Sequence, residues 1–293
     1  MNKTIVGLGE ILWDVFPDGK VLGGAPANFA YHATQLGFNG YALSAIGDDA
    51  LGKEIISSLE EKKLNYLLKT TAFPTGTVQV TLSGEGIPQY EICENVAWDN
   101  IPFTGHTENL AKQCAAVCFG SLAQRSKTSR ETIRRFLHST PESCLKIFDI
   151  NLRQHFYSQD VIEESLAVAD ILKINEDEIK IIAEMFHLSA RNEDEICRHL
   201  LRNFDLQVVI LTKGTEGSYI FTSNEESYLP TPKVEVADTV GAGDSFTAAF
   251  VVAFLSGKSV KESHRIAVEV SAYVCQQFGA MPELKQDVVA LVR

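Results

Sequence analysis

The chain has no apolar run near the roughly 18 residues that a membrane-spanning helix needs, so no helical membrane span is expected. Its opening, Met1-Asn2-Lys3-Thr4, leads straight into Ile5-Val6-Gly7 without a long apolar h-region or a small-residue cleavage site. That argues against a secretory signal. It also lacks a CxxC pair. Cys93, Cys114, Cys118, Cys144, Cys197 and Cys275 are dispersed, as expected of a reduced, cytoplasmic protein. Cys114 and Cys118 flank an apolar run and read as core. The histidines show no HExxH pattern and no close pairing, and read as structural rather than metal-binding. Basic charge is scarce, with 26 Lys and Arg against 38 Asp and Glu and a net charge of −12. Short clusters such as Lys62-Lys63 and Arg134-Arg135 read as solvated helix faces, which speaks against a nucleic-acid partner. An acidic chain can still hold phosphates, because backbone amides and Mg²⁺ can meet them.

Three nucleotide-binding motifs are absent. The dinucleotide fingerprint GxGxxG fails at Gly7-Leu8-Gly9-Glu10-Ile11-Leu12, where the third glycine is a leucine. Gly257-Lys258-Ser259 resembles the end of a Walker A loop, but the glycine required five positions earlier is Val252. The tripeptide follows a helical pattern and reads as a C-cap. The HRD and DFG elements of protein kinases do not occur.

What is present is alternation. Strand patterns occur at Thr4–Gly9, Tyr41–Ile46, Ala115–Phe119, Leu145–Ile150, Ile171–Ile174, Val208–Thr212 and Ser218–Thr222. Helical patterns occur at Ala27–Leu36, Leu51–Lys62, Ser129–Leu137, Val161–Ala169, Glu176–Met185, Asp194–Phe204, Asp244–Leu255 and Lys261–Gln277. Such alternation predicts an α/β fold, a mostly parallel sheet covered by helices on both faces. Hydrophobic residues make up 45% of the 293, enough for a sizeable core. Two stretches break the pattern. Asp14–Leu22 is short and turn-rich, and Thr75–Asn95 alternates with period two around Gly84-Glu85-Gly86. Antiparallel strands there would make a small separate sheet, either a lid that excludes water from a site or a plain hairpin.

The strongest local signal is Asp238-Thr239-Val240-Gly241-Ala242-Gly243-Asp244, ahead of the apolar helix Ser245–Leu255. Glycines at a helix start permit a tight turn and leave amides outward, where the helix dipole completes an anion site. Asp244 in the first turn could simply complement that dipole, but this would not account for the glycines. An anion cradle beside a carboxylate suits phosphoryl transfer, the carboxylate taking the proton of the attacking hydroxyl. The dipole is expected to keep Asp244 ionised at neutral pH. A second signal is Gly23-Gly24-Ala25-Pro26-Ala27-Asn28. Paired glycines allow close backbone approach to a ligand, and Asn28 offers both donors and an acceptor, as a polyol requires.

Together the two segments resemble the two signatures of the PfkB, or ribokinase-like, carbohydrate kinases. The first runs through Asn28 and Ala30 to Gly37 and Gly47, and the second continues to Ala248 and Ala249. Landmarks between and after them fit as well: Asp149–Arg153, Asn175–Glu178, Thr212–Gly217 and Gly279-Ala280. The resemblance implies a three-layer ribokinase-like fold, a single domain over 1–293 with lid segments at about 12–22 and 74–98. It implies Asp244 as catalytic base, with the amides of Gly241, Ala242 and Gly243 as anion hole. Asp14, Gly24 and Asn28 would hold the sugar. Arg153 would meet the sugar or the transferred phosphate, unless it makes a surface ion pair. Thr212, Gly214 and Gly217 would border the ATP. Asn175 and Glu178 match NxxE, which organises Mg²⁺ and the phosphates through water, although Glu178 taken alone reads as a solvent-facing carboxylate. Backbone near Asp238 would contribute to a K⁺ site. Some relatives carry an Asn beside the adenine where this chain has Val268. Gly9–Phe16 and Gly23–Ala30 resemble the fructokinase branch, implying fructose as acceptor. Trp13 and Phe16 would wall the sugar or pack in the core. Kinases of 2-keto-3-deoxygluconate, ribose or a nucleoside, and a non-catalytic sugar sensor, are the alternatives. An exposed lid sheet could pair with that of a second copy.

Overall fold

A computed structural model describes residues 3–82, 88–188 and 191–292. The turn expected around Gly84-Glu85-Gly86 lies outside the described residues. In chain order the strands are β1 (Thr4–Leu8), β2 (Leu12–Phe16), β3 (Gly19–Gly23), β4 (Asn39–Gly47), β5 (Asn65–Thr71), β6 (Gly76–Leu82), β7 (Pro88–Ile92), β8 (Cys114–Phe119), β9 (Leu145–Asp149), β10 (Ile171–Asn175), β11 (Val208–Thr212), β12 (Ser218–Phe221) and β13 (Glu226–Leu229). The helices are α1 (Ala25–Gln35), α2 (Ala50–Glu61), α3 (Gly105–Lys112), α4 (Lys127–Ser139), α5 (Gln159–Leu166), α6 (Glu178–Met185), α7 (Glu193–Asn203), α8 (Ala242–Leu255), α9 (Val260–Val274) and α10 (Gln286–Ala290). No helix among the described residues is long and apolar enough to cross a membrane.

The described strands of the main sheet run in the order β13-β12-β11-β10-β9-β8-β1-β4-β5. Pairings from β11 through to β5 are parallel, while β12 and β13 add antiparallel edges. The parallel strands are apolar on both faces because both are covered. Ile5, Ala116, Ile147, Ile171 and Ile210 pack with α1, α8 and α9. Their neighbours Val6, Val117, Phe148, Leu172 and Leu211 pack with α4, α5, α6 and α7 on the other side. Chain order jumps from β4 and β5 on one side of β1 to β8 on the other, so β1 and β8 flank the switch point. In open α/β sheets, ligands bind there, at the carboxyl ends of the strands.

The failed dinucleotide fingerprint has a packing role. A Cβ built on Gly7 would lie 1.8 Å from the carbonyl oxygen of Pro26, so only glycine lets the start of α1 rest on β1. Pro26 itself occupies the first turn of α1, where its missing N–H costs nothing. Gly257, with φ +84°, ends α8, and Ser259 opens α9 through a capping box with Glu262. The Walker-like tripeptide is therefore punctuation between two helices.

The second sheet has the order β3-β2-β6-β7 among the described residues. Asp14–Leu22, turn-rich by sequence, forms the antiparallel β2–β3 pair, and β6 joins β2 in parallel. Asp49 anchors its base. One carboxylate oxygen caps α2 at the Gly52 amide (2.8 Å), and the other accepts from the Thr75 amide just before β6 (2.8 Å). Two strands have no counterpart among the sequence patterns. β5 is a half-exposed edge of mixed polarity, and β13 is only four residues long.

Candidate active site

The segments singled out by sequence meet at the carboxyl ends of β1, β8, β9, β10 and β11. α8 carries the Asp244 carboxylate in its first turn. It is apolar all round and buried from Ser245 to Ala253, wedged against the sheet, α1 and α9, so its N-terminus is rigidly held. Gly241 is its N-cap at φ +79°, ψ −3°, a left-handed conformation that suits glycine. Ala242, Gly243 and Asp244 form the first turn, where N–H groups lack intrahelical acceptors. The Ala242 amide donates to the Thr239 carbonyl at 3.3 Å.

α1 brings Asn28 across to Asp244. Its Nδ2 donates to Asp244 Oδ2 at 2.7 Å, joining residues 216 apart in sequence. Asn28 is 4% exposed, and its Oδ1 accepts no hydrogen bond from the described residues. A buried acceptor beside a carboxylate is where a ligand hydroxyl would be received. Gly24, the N-cap of α1, lies against the backbone of Glu10 and Ile11. Asp14, on β2 of the small sheet, points its Oδ2 at Gly23, where a Cβ would lie only 2.5 Å away. The second glycine signal thus makes room for the Asp14 carboxylate. Trp13 is core, its Nε1 donating to the Leu51 carbonyl at 3.1 Å. Phe16 is exposed.

Charge around Asp244 is arranged in layers. Burial pushes its carboxyl up to about 6, and Asp149 adds to this. Asn28, Lys173 and Arg153 pull it back. Burial thus outweighs the groups that favour the charged form and holds the Asp244 carboxyl above its ordinary range. Asp149 pairs with Lys173 at 3.1 Å, both side chains nearly buried, and Thr247 Oγ1 donates to the other Asp149 oxygen at 3.3 Å. Burial alone would lower the Lys173 ammonium, but Asp149, Glu178 and Asp244 outweigh it and hold it above its ordinary range. A Cβ built on Gly243 would be 3.1 Å from Lys173 Nζ, so this ammonium lies directly behind the glycine turn. Glu10, 3% exposed, is pushed up by burial to about 7, and its Oε2 has no partner among the described residues. With Asp149, Asn151, Cys118 and Gly120 it lines a cavity of about 10 Å³ at the switch point. Burial also raises Asp14, to about 6, against the pull of Arg153. Sequence reasoning assigned no role to Glu10, Asp149 or Lys173. Lys173 is one polar residue in an apolar strand, and only the sheet brings it beside Asp149.

Glu178 is not solvent-facing. It is 4% exposed, and its two oxygens accept from the amides of Leu152 (3.0 Å) and Asn175 (2.9 Å). Asn175 Oδ1 accepts in turn from the Asp177 and Glu178 amides (3.0 and 2.9 Å), starting α6 two residues later than its apolar pattern suggests. Glu178 thereby fixes the loop that carries Arg153. Arg153 is exposed and makes no ion pair with the described residues, but its charge acts on Glu10, Asp14 and Asp244. Beyond it, Gln154 Nε2 donates to the Tyr90 carbonyl of β7 at 2.7 Å. Thr212 ends β11 in register with Asn175, and Gly214 and Gly217 follow at φ +46° and +126°. Asp238 staples the approach to α8, its oxygens accepting from the amides of Val240 and Gly279 at 3.0 Å each. Val268 packs against the core on α9.

Residues 14–287 match the model of the pfkB family carbohydrate kinases. A fructokinase of Klebsiella pneumoniae is 28% identical over 85% of this chain and 83% of its own length. An ATP-dependent 6-phosphofructokinase of Thermoanaerobacterium thermosaccharolyticum is 28% identical over 90% and 82%. Among solved structures, an uncharacterized sugar kinase of Pyrococcus horikoshii in complex with ATP superposes with a TM-score of 0.79 at 25% identity, covering 100% of both chains.

Proposed function

The chain belongs to the pfkB family of carbohydrate kinases, and on that premise we propose that it transfers the γ-phosphoryl group of ATP to the 6-hydroxyl of fructose, giving fructose 6-phosphate and ADP. The observation that carries this reading is the 2.7 Å contact of Asn28 with Asp244. It joins the polyol-type segment to a carboxylate at the head of a glycine-turn helix.

In the proposed mechanism, Asp14, the Gly24 backbone and Asn28 hold the sugar, and Asn28 Oδ1 receives one of its hydroxyls. Asp244 takes the proton of the 6-hydroxyl as that oxygen bonds to the γ-phosphorus. The bond from phosphorus to the bridging oxygen breaks and ADP leaves. The amides of Gly241, Ala242 and Gly243 would face the charge on the moving phosphoryl group, that of Ala242 giving up its bond to Thr239, with the Lys173 ammonium behind them and Arg153 at the sugar side. Thr212, Gly214 and Gly217 border the nucleotide. Mg²⁺ fits this set. No group of three metal-ligating side chains occurs among the described residues, and Mg²⁺ is commonly held by phosphates and water with one or two carboxylates. Asn175 and Glu178 would orient that water, and the ion would neutralise phosphate charge. A K⁺ site would use backbone near Asp238, whose carboxylate is already committed to two amides. The small sheet acts as a lid in this reading. Its exposed Phe16, Val21 and Tyr90 support pairing with a second copy.

A second reading, fructose 6-phosphate as acceptor, is favoured by the similarity to the Thermoanaerobacterium enzyme. The carboxylates of Glu10 and Asp14 weigh against a dianionic substrate. The intact base and glycine turn weigh against a sensor, since binding alone needs no base. The test is kcat/KM for fructose, fructose 6-phosphate, ribose, 2-keto-3-deoxygluconate, tagatose and adenosine, with the phosphorylated position read by NMR. Fructose is expected to lead, and the activity to vanish in excess chelator and return with Mg²⁺. A roughly tenfold preference for another acceptor, or phosphate on the 1-position, overturns the assignment.

The pH profile offers an independent check. Because Asp244 must be ionised and sits at about 6, log kcat/KM is expected to climb through pH 6 and level off above it. Asp14, also at about 6, titrates in the same range. Asn28→Leu separates them. It removes a hydrogen bond that lowers the Asp244 value, so the rising limb should move to higher pH. A limb that stays in place, or moves down, rules out Asp244 as its source.

A further inference from the structure

His32 lies one turn beyond Asn28 on α1 and is fully buried. Its Nε2 is 2.9 Å from the Ala280 carbonyl oxygen. A carbonyl only accepts, so Nε2 carries the proton. Nδ1 has no hydrogen-bond partner among the described residues, and burial lowers the ring to about 4, so the neutral tautomer is the one present at neutral pH. The surroundings of Ala280 give this bond a purpose. Gly279 donates its amide to Asp238 at 3.0 Å, and the Met281 carbonyl accepts from Lys62 Nζ at 3.0 Å. Three consecutive residues are thus pinned by three parts of the fold: the loop before α8, α1, and the end of α2. Gly241 rests on the middle one. A Cβ built on Gly241 would be 2.7 Å from both Cα and O of Ala280.

We infer that His32 is a positioning residue for the phosphoryl-binding turn: it holds the Ala280 peptide against which Gly241 packs, and so fixes where the amides at the head of α8 point. Packing alone would not call for histidine, since an apolar side chain would fill the space without burying an unpartnered ring nitrogen. The donor is used on the strap. α1 therefore serves both halves of the reaction, presenting Asn28 to the base and His32 to the support of the anion hole.

The inference rests on the kinase reading, and the experiment separates the two. His32→Leu keeps the bulk and loses the donor, whereas His32→Gln places an amide N–H near the position of Nε2. In the full chain, His32→Leu is expected to lower kcat by roughly 10- to 100-fold, as small misplacements of catalytic groups do. The sugar KM should change by less than about threefold, because Asp14 and Asn28 are untouched. His32→Gln should recover most of the rate. Amide hydrogen exchange across 239–244 should quicken in His32→Leu and not in His32→Gln. If His32→Leu does not fold, His32→Asn, polar but too short to reach Ala280, takes its place with the same expectation. Equal losses in the Gln and Leu variants, a loss confined to KM, or unchanged exchange across 239–244 overturns the inference. If the unmodified chain phosphorylates no sugar, the kinase reading falls, and the exchange comparison still decides whether His32 positions the turn.

Discussion

Asp244→Asn is expected to lower kcat by roughly 10² to 10⁴, the range for loss of a general base, with the fold and ATP affinity largely kept. The substitution is nearly isosteric. Asn28 Nδ2 can still donate to the new amide oxygen, so the 2.7 Å contact between α1 and α8 has a replacement. The glycine turn and its amides do not depend on the Asp244 side chain, because Gly241 is held by Ala280 and Asp238 by Val240 and Gly279. What disappears is the proposed acceptor for the sugar proton. Stopped-time assays of ADP and sugar phosphate, with nucleotide affinity by calorimetry, measure both halves. Turnover within about threefold of the unmodified chain would remove Asp244 from the role. Loss of ATP affinity together with turnover would mean that the carboxylate also shapes the nucleotide site.

Lys173→Met is expected to cost stability as well as rate. Lys173 is the cation that Asp149, Glu178 and Asp244 share in the interior. Removing one partner of a buried pair typically costs about 3–5 kcal/mol, because the remaining charge has lost its solvent and its counterion. The Asp244 carboxyl should also rise further, since a cation that lowers it is gone. The rising limb of the pH profile should then move up while its plateau falls. Lys173→Met with Asp149→Asn removes both members of the 3.1 Å pair and should recover much of the stability but not the rate. Denaturant midpoints for the single and double variants test the first claim. A single variant within about 1 kcal/mol of the unmodified chain would show that the pair is solvated in solution.

Legibility in the sequence followed the range of the interaction. The glycine turn, Asp244, the helix after it and the Gly23–Asn28 segment were readable because their geometry is local. The parallel strands were readable because burial on both faces leaves continuous apolar runs. The half-exposed edge β5 and the four-residue β13 carry no such run. Glu178 alone reads as a surface carboxylate, and one of the amides it accepts from is that of Leu152, 26 residues away in the chain. Asp149 ends β9, Lys173 is the middle residue of β10 and Glu10 follows β1, so only strand order places them together. Gly7 and Gly9 looked like two-thirds of a dinucleotide fingerprint, yet Gly7 owes its identity to the Pro26 carbonyl.

The loop bearing Arg153 is tethered at both ends: the Leu152 amide to Glu178 of the main body, and the Gln154 side chain to the Tyr90 carbonyl of the small sheet. Arg153 is therefore the middle of a three-residue lever with one fixed pivot. Any tilt of the small sheet must either break the Gln154 bond or swing a guanidinium whose field lowers both Asp14 and Asp244. On the proposed reading of the small sheet as a lid, its position and the charge felt by Asp244 are linked through this one loop.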